Sequence, residues 1–373
     1  MNQRWDTARA AGWRSGLPWL VGCNYGPRNA INQLEMWQAD TFSPDLIKEE
    51  LGWMAGLGFN SIRVFLHDLP WREDSAAFLG RIDTVLGLAA DVGIGTMLVF
   101  FDSVWHPFPN AGPQPAPEPG VHNSGWVQSP GVAVLRDETR FDALRPYVTG
   151  VVKAFAADER VQVWDVWNEP DNPNSSSYGP RDLGHDKGGL AAKLLPRVFD
   201  WVRSADPRQP LTSGIWLGDW SSDDTFKPHE RVQIELSDVV SFHCYNDAAD
   251  VEKRIGQLRR FGRPLLCTEF MSRGSGSTFQ TVLPVLKKHH VDAYSWGCVA
   301  GKTQTIYPWD SWQRPYDHEP DPWFHDIFRD NGTPYRPEEV KVIRSLTGVK
   351  AKAKPAAKSA AKPAGKKPRR DGR

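Results

Sequence analysis

Val161-Gln162-Val163-Trp164-Asp165-Val166-Trp167-Asn168-Glu169-Pro170 is the stretch from which the rest of this chain can be read. Its Val and Trp residues suit a pleated, packed surface, so Val161–Asn168 is expected to be a β-strand. Pro170 has no N–H to give a ladder and stops the strand directly after a carboxylate. Glu169 is therefore expected at the mouth of a sheet and not inside it, where an unpaired charge would be very costly.

Seven further apolar runs carry the same strand signal: Trp19–Tyr25, Ser61–Leu66, Thr96–Phe101, Leu211–Trp216, Val239–Tyr245, Pro264–Phe270 and Ala293–Val299. Between them lie stretches with apolar residues at three- and four-residue spacing, namely Pro44–Leu57, Phe78–Val92, Arg140–Ala156, Gly188–Ala205, Val251–Phe261 and Thr278–His289. Gly58, Gly93 and Gly262 follow three of these as helix stops. Alternating strands and helices build a parallel sheet. Eight strands close naturally into a (β/α)8 TIM barrel, whereas the rival doubly wound open sheet usually has fewer. A length of 373 residues accommodates one such barrel with long loops.

Reactive residues of a barrel sit at the C-terminal strand ends and on the loops that follow. Asp102–Thr139 after strand 3, Pro170–Lys187 after strand 4 and Gly301–Tyr335 after strand 8 are longer than simple connections require, and read as walls of a substrate cleft. A second carboxylate occupies the equivalent place in Pro264-Leu265-Leu266-Cys267-Thr268-Glu269-Phe270. Glycoside cleavage with retention uses two carboxyl groups roughly 5–5.5 Å apart, one protonated for the leaving oxygen and one ionised to attack the anomeric carbon. Strands 4 and 7 lie on opposing sides of a barrel mouth, within reach of that geometry.

With Asn168-Glu169-Pro170 and Thr268-Glu269-Phe270 in register on this strand pattern, the chain resembles the clan of retaining (β/α)8 glycosidases, most closely glycoside hydrolase family 5. The resemblance runs from about Trp19 to Ala300. His243-Cys244-Tyr245 is similar to the clan's His-x-Tyr, and Trp296 to its sugar-stacking tryptophan. The resemblance implies that Glu169 is the acid/base and Glu269 the nucleophile. It further implies that Tyr245 and Arg63 hydrogen-bond the nucleophile, Asn168 holds the sugar 2-hydroxyl and His243 lines the reacting subsite. A guanidinium beside Glu269 would favour its charged form, while Glu169 must keep its proton until the leaving group departs.

The pattern also departs from family 5. A histidine or aromatic often stands near the end of strand 3 there, whereas here Phe101-Asp102-Ser103-Val104-Trp105 begins a long loop. The opening Gly22-Cys23-Asn24-Tyr25-Gly26-Pro27, followed by Glu35 and Trp37, looks more like barrels of exo-acting β-glycosidases. Glu35 and Trp37 are expected to close one end of the cleft, and His67 and Trp105 to bind neighbouring sugars. A metal site from His67, Asp68, Asp102 and His106 lacks a tight ligand pattern. No cofactor or metal is expected, because the two carboxylates suffice.

Composition sets the remaining bounds. A 40% hydrophobic and 24% charged chain is globular. Ten of its 45 basic residues but only one of its 45 acidic ones fall after position 348, leaving a mildly acidic body that argues against nucleic-acid binding by the folded part. The domain is expected over 1–348, with 349–373 a disordered Lys/Ala/Pro-rich tail. Seventeen tryptophans are many for this length; core and loop packing is expected to account for about half of them or more, and sugar-stacking platforms are one explanation for the rest. Cys23, Cys244, Cys267 and Cys298 sit in apolar runs without CxxC spacing and read as reduced core residues. With no apolar leader or membrane span, a cytoplasmic protein is expected, or an extracytoplasmic one where a leader has been removed.

The expected activity is hydrolysis of a β-linked glycoside, exo-acting from a chain end, with an oligo- or polysaccharide as partner. Transglycosylation on the same machinery and a non-catalytic carbohydrate-binding barrel are the alternatives. Sequence sets neither the sugar nor the oligomeric state.

Overall fold

A computed structural model of the chain describes residues 3–349. The expected tail, 349–373, lies outside the described residues except for Val349. Eight parallel strands, β1 Val21–Tyr25, β2 Ser61–Phe65, β3 Gly95–Asp102, β4 Val161–Asn168, β5 Leu211–Thr212, β6 Val240–His243, β7 Leu265–Phe270 and β8 Asp292–Ser295, form one sheet in the order β5-β4-β3-β2-β1-β8-β7-β6. The ring closes between β5 and β6 through the parallel bridge Ile215↔Phe242, with Ile215 N–H donating to Ser241 O at 3.2 Å and His243 N–H to Ile215 O at 2.9 Å.

A helix follows every strand: Pro44–Ala55, Ser75–Ala90, Arg145–Phe155, Lys187–Ser204, Pro228–Leu236, Ala248–Leu258, Leu283–Lys288 and Pro337–Thr347. Five of these carry Pro in the first turn, where its missing N–H has no helical partner to lose. Gly93, at φ +77°, makes the left-handed turn from Ser75–Ala90 into β3 that a side chain would strain.

The main core lies between sheet and helices, where Ile62, Val64, Leu98, Phe100, Trp164 and Val166 meet the helix faces. Inside the barrel floor, Met97, Val163, Val239, Leu266 and Tyr294 form a separate apolar layer, capped from below by Trp13 of the N-terminal helix Thr7–Ser15. Above that layer the interior turns polar, with Arg63, Asp165, Thr212 and Ser241 all buried. The four cysteines are free and buried. Among the described residues, no helix is long and apolar enough to cross a membrane.

Candidate active site

The strand register brings the charged residues of the upper barrel together. Asn24 pairs with Arg63 between β1 and β2, Asp102 with Asn168 between β3 and β4, and His243 with Glu269 across an irregularity between β6 and β7. Arg63 is fully buried and donates to four acceptors: Asp165 Oδ2 at 3.0 Å, Asn24 Oδ1 at 2.8 Å, Glu269 Oε1 at 2.9 Å and Asn168 Oδ1 at 2.7 Å. Asp165 faces into the barrel because it shares a strand face with Val163, two residues earlier. Its Oδ2 accepts from Arg63 Nε at 3.0 Å, so the buried guanidinium is paired with a carboxyl on β4 as well as with Glu269 on β7.

Glu269 is held on both oxygens, by Arg63 and by the Tyr245 hydroxyl, which donates to Oε2 at 2.7 Å. Burial is nonetheless the largest influence and raises its pKa, with the nearby Glu169 also pushing upward against His243, Arg63 and Tyr245. The guanidinium expected to hold Glu269 ionised thus offsets burial only in part.

Glu169 follows the last residue of β4 at φ +42°, a left-handed conformation that is costly for a side chain this long. The strain turns its carboxyl into the mouth. His243 Nδ1 lies 2.7 Å from Oε1, and Asn172 Nδ2 donates to Oε2 at 2.6 Å. The buried His243 Nε2 has no partner among the described residues. An unpaired lone pair is tolerated more readily than an unpaired N–H, which assigns the ring proton to Nδ1. Burial holds His243 neutral, with its pKa lowered to about 4. Burial, with Asp171 adding to it, raises Glu169 to about 7. Both Glu169 oxygens accept hydrogen bonds, and its carboxyl also lines the cavity.

One carboxylate oxygen of Glu169, one of Glu269 and a His243 ring nitrogen all lie within 4.8 Å of one another. This is also the one three-residue group among the described residues with donor atoms close enough for a metal ion. Arg63 already supplies positive charge there. His67, Asp68, Asp102 and His106 do not gather into such a group.

A cavity of about 330 Å³ opens above the two glutamates. Asn168, Tyr245, Trp296 and Trp105 line it together with Asp102, His122, Asn172, Trp126, Trp216 and Trp309. Asn168 is fixed at both ends, since its Nδ2 donates to Asp102 Oδ1 at 3.1 Å. Trp296 packs edge-on against Phe65 and Trp126, with centroids at 5.9 and 6.1 Å. Trp105 stacks on Trp312 at 5.7 Å, and its backbone N–H donates to Asn174 Oδ1 at 2.7 Å. The buried Lys187 donates to Ser103 O at 2.6 Å and to Asp182 at 2.7 Å, tying the loops after β3 and β4 together.

Three residues expected at the cleft lie elsewhere. Trp37 is fully buried in the core, its indole N–H donating to Phe65 O at 2.7 Å and its ring meeting Phe78 edge-on. Glu35 is bonded to the Ile31 N–H and to Lys302, bracing the loop after β1. His67 is buried behind the wall, where Nδ1 accepts from Leu69 N–H and Nε2 meets Gln128 O at 3.0 Å. Asp102, considered above only for a metal site, is the most informative of the remaining residues. It accepts from Trp126 Nε1 at 2.6 Å and from Asn168, and burial raises its pKa to about 6. Its place at the end of β3, opposite Asn168, was the available signal.

No protein-family model matches the chain, and no match was found among curated proteins. Solved structures do match. The exo-beta-1,4-mannosidase Op5Man5 from Opitutaceae bacterium strain TAV5 aligns with TM-score 0.59 and 19% identity over 89% of this chain and 60% of that one. The present chain therefore spans about three fifths of that protein. GH5_18 from Streptomyces cattleya, in complex with GlcNAc, aligns with TM-score 0.58 and 12% identity over 88% and 79% of the two chains. The beta-1,4-D-mannanase from Cryptopygus antarcticus gives TM-score 0.57 and 13% identity over 89% and 90%. Eight parallel strands with their outer helices, and these alignments, establish a single (β/α)8 TIM barrel of the architecture that these carbohydrate-active proteins share.

Proposed function

We propose that the chain is a retaining glycoside hydrolase of the family 5 type, acting on a β-linked glycoside from its non-reducing end. The observation that carries this reading is the approach of the Glu169 and Glu269 oxygens to within 4.8 Å in one aromatic-walled cavity. Retaining enzymes hold their carboxyl groups about 5–5.5 Å apart, whereas inverting enzymes leave about 6.5–9.5 Å for a water.

In this mechanism Glu269 attacks the anomeric carbon while Glu169 gives its proton to the leaving oxygen. A covalent glycosyl ester forms on Glu269, whose negative charge is lost. Glu169, now ionised and relieved of that neighbour, takes a proton from water, which attacks the same carbon and releases the sugar with its original configuration. Arg63 and Tyr245 orient Glu269, and Asn168 reaches toward the 2-hydroxyl. His243 stays neutral and positions Glu169.

Exo action is supported by the small cavity and by the loops after β3 and β8, which meet at its wall where Trp105 stacks on Trp312. The mannoside-active neighbours put mannosides first among the sugars to test. The test is hydrolysis of aryl β-mannoside, β-glucoside, β-galactoside and β-xyloside by wild type and Glu269→Gly, with and without azide. Loss of activity in Glu269→Gly, with azide restoring it as a glycosyl azide of inverted configuration, is expected. A Glu269→Gly variant as active as wild type overturns the assignment.

A further inference from the structure

Folded proteins leave few buried polar atoms without partners, and each exception calls for an explanation. Several gather on one side of this cleft. Asn123 is fully buried, yet neither its Oδ1 nor its Nδ2 meets a partner among the described residues. Its φ of +46° lies in the left-handed region, which asparagine tolerates better than most residues but which still costs energy. Asp326 is equally buried: Thr305 Oγ1 donates to its Oδ2 at 2.6 Å, and its Oδ1 has no partner. Asn123 and Asp326 line one cavity of about 30 Å³, and two of its walls, Trp126 and Trp296, are also walls of the cleft.

The neighbouring residues repeat the pattern. His122 lines the cleft, and its Nδ1 lies 2.8 Å from Tyr307 O. A carbonyl oxygen only accepts, so the proton is on Nδ1 and the unpartnered Nε2 is a bare lone pair. His325, with its ring centroid 5.3 Å away, is in the same state, its Nδ1 donating to Met271 O at 2.5 Å. A buried polar atom without a protein partner is satisfied by water or by a ligand group, because leaving it bare is costly.

We infer that Asn123 and Asp326 are specificity-determining residues that bind hydroxyl groups of the terminal sugar, the cavity behind Trp296 closing the non-reducing end of the cleft. The unpartnered side-chain atoms of this cavity are two acceptors, Asp326 Oδ1 and Asn123 Oδ1, against one donor, Asn123 Nδ2, and His122 Nε2 adds an acceptor on the cleft side. Neutral polyol hydroxyls both donate and accept and match it, while an anionic sugar would meet Asp326 with a single donor to hold it. The cavity has room for an exocyclic hydroxyl group or about two waters, but not for a second ring.

This inference rests on the glycosidase reading, and the experiment separates the two. Wild type is assayed on 4-nitrophenyl β-D-mannoside, glucoside, galactoside and xyloside. The best of these is then given to Asn123→Gly, which keeps the positive φ accessible, and to Asp326→Asn, which keeps the shape and the Thr305 contact. Thermal melts accompany both. The expected result is a fall in kcat/KM of about tenfold or more in each variant, carried by KM, with Tm within a few degrees of wild type. The structure of Glu269→Gln soaked with the released sugar is expected to have a sugar hydroxyl on Asn123 or Asp326. Activity within about twofold of wild type in both variants, or a sugar bound in the cleft with only water behind Trp296, overturns this inference alone. A wild type silent on all four glycosides fails the glycosidase reading and this inference with it.

Discussion

Glu169 and Glu269 are the same residue type in one buried site, and their neighbours distinguish them. Glu269 receives a guanidinium and a phenol, while Glu169 receives an amide and a neutral imidazole. The acid must be protonated and the nucleophile ionised, so kcat/KM is expected to be bell-shaped in pH. Its alkaline limb should follow Glu169 at about pH 7, falling about tenfold per pH unit above it. Its acid limb should lie above the ordinary carboxylate range, because burial raises Glu269. Tyr245→Phe removes a donor to the ionised nucleophile; it is expected to lower kcat about tenfold to a hundredfold and to move the acid limb to higher pH, read from the rate profile. At this scale the sequence was informative where a residue ends a strand: Asn168, Glu169, Tyr245, Glu269 and Trp296 all reach the cavity or its floor. It was uninformative where position depends on loop path. Trp37 looked like a wall and turned into the core because Gln33–Trp37 is a short helix packed on Phe78. Asn123 and Asp326 carry no motif, and only the fold brings them together.

At the scale of elements, β2 and β4 are joined through the buried pair Arg63–Asp165 as well as by their places in the sheet. Arg63→Met would leave Asp165 buried beside Glu269 without its cation. It is expected to destabilise the fold by about 3–5 kcal/mol, measured by denaturant unfolding, besides abolishing activity. Asp292, the first residue of β8, shows a different dependence. Burial raises its pKa to about 7 although Arg14 donates to Oδ1 at 2.8 Å. A carboxyl whose folded pKa is raised contributes stability that is fully present below its unfolded pKa and is lost as pH rises through the folded one. Wild type is therefore expected to lose Tm between about pH 4 and pH 7, and Asp292→Asn to lose less over the same window. Strand positions were legible from apolar runs, but their ends were less so. The run Leu211–Trp216 contributes only Leu211–Thr212 to the ladder, because Ser213 turns its hydroxyl to Trp167 O and the Gly214 carbonyl accepts from Gln233 before Ile215 rejoins β6. Similarly, Arg140–Ala156 divides into a tight turn of 3-10 helix over Glu138–Leu144 and a regular helix from Arg145, where Pro146 fits the first turn.

Over the whole molecule, the barrel was legible from eight periodic repeats of strand and helix, since closure follows from strand number and parallel order. The shape of the cleft was not, because it is made by the loops after β3, β4 and β8, whose contacts join residues distant in sequence. Five tryptophans, Trp105, Trp126, Trp216, Trp296 and Trp309, line the cavity, while others such as Trp164, Trp167 and Trp220 are core. A cleft closed at the non-reducing end should release single sugars from the first minutes of reaction with a β-linked oligosaccharide. Chromatography of early products is expected to give monosaccharide plus the shortened chain, and an even ladder of intermediate lengths contradicts that expectation. The most direct test of the central claim, two glutamates acting by double displacement, is proton NMR of the first-formed sugar from the best aryl β-glycoside, recorded before mutarotation. The account predicts the β-anomer at first, with the α-anomer appearing only as the solution equilibrates; an α-anomer formed first would mean inversion and contradict it.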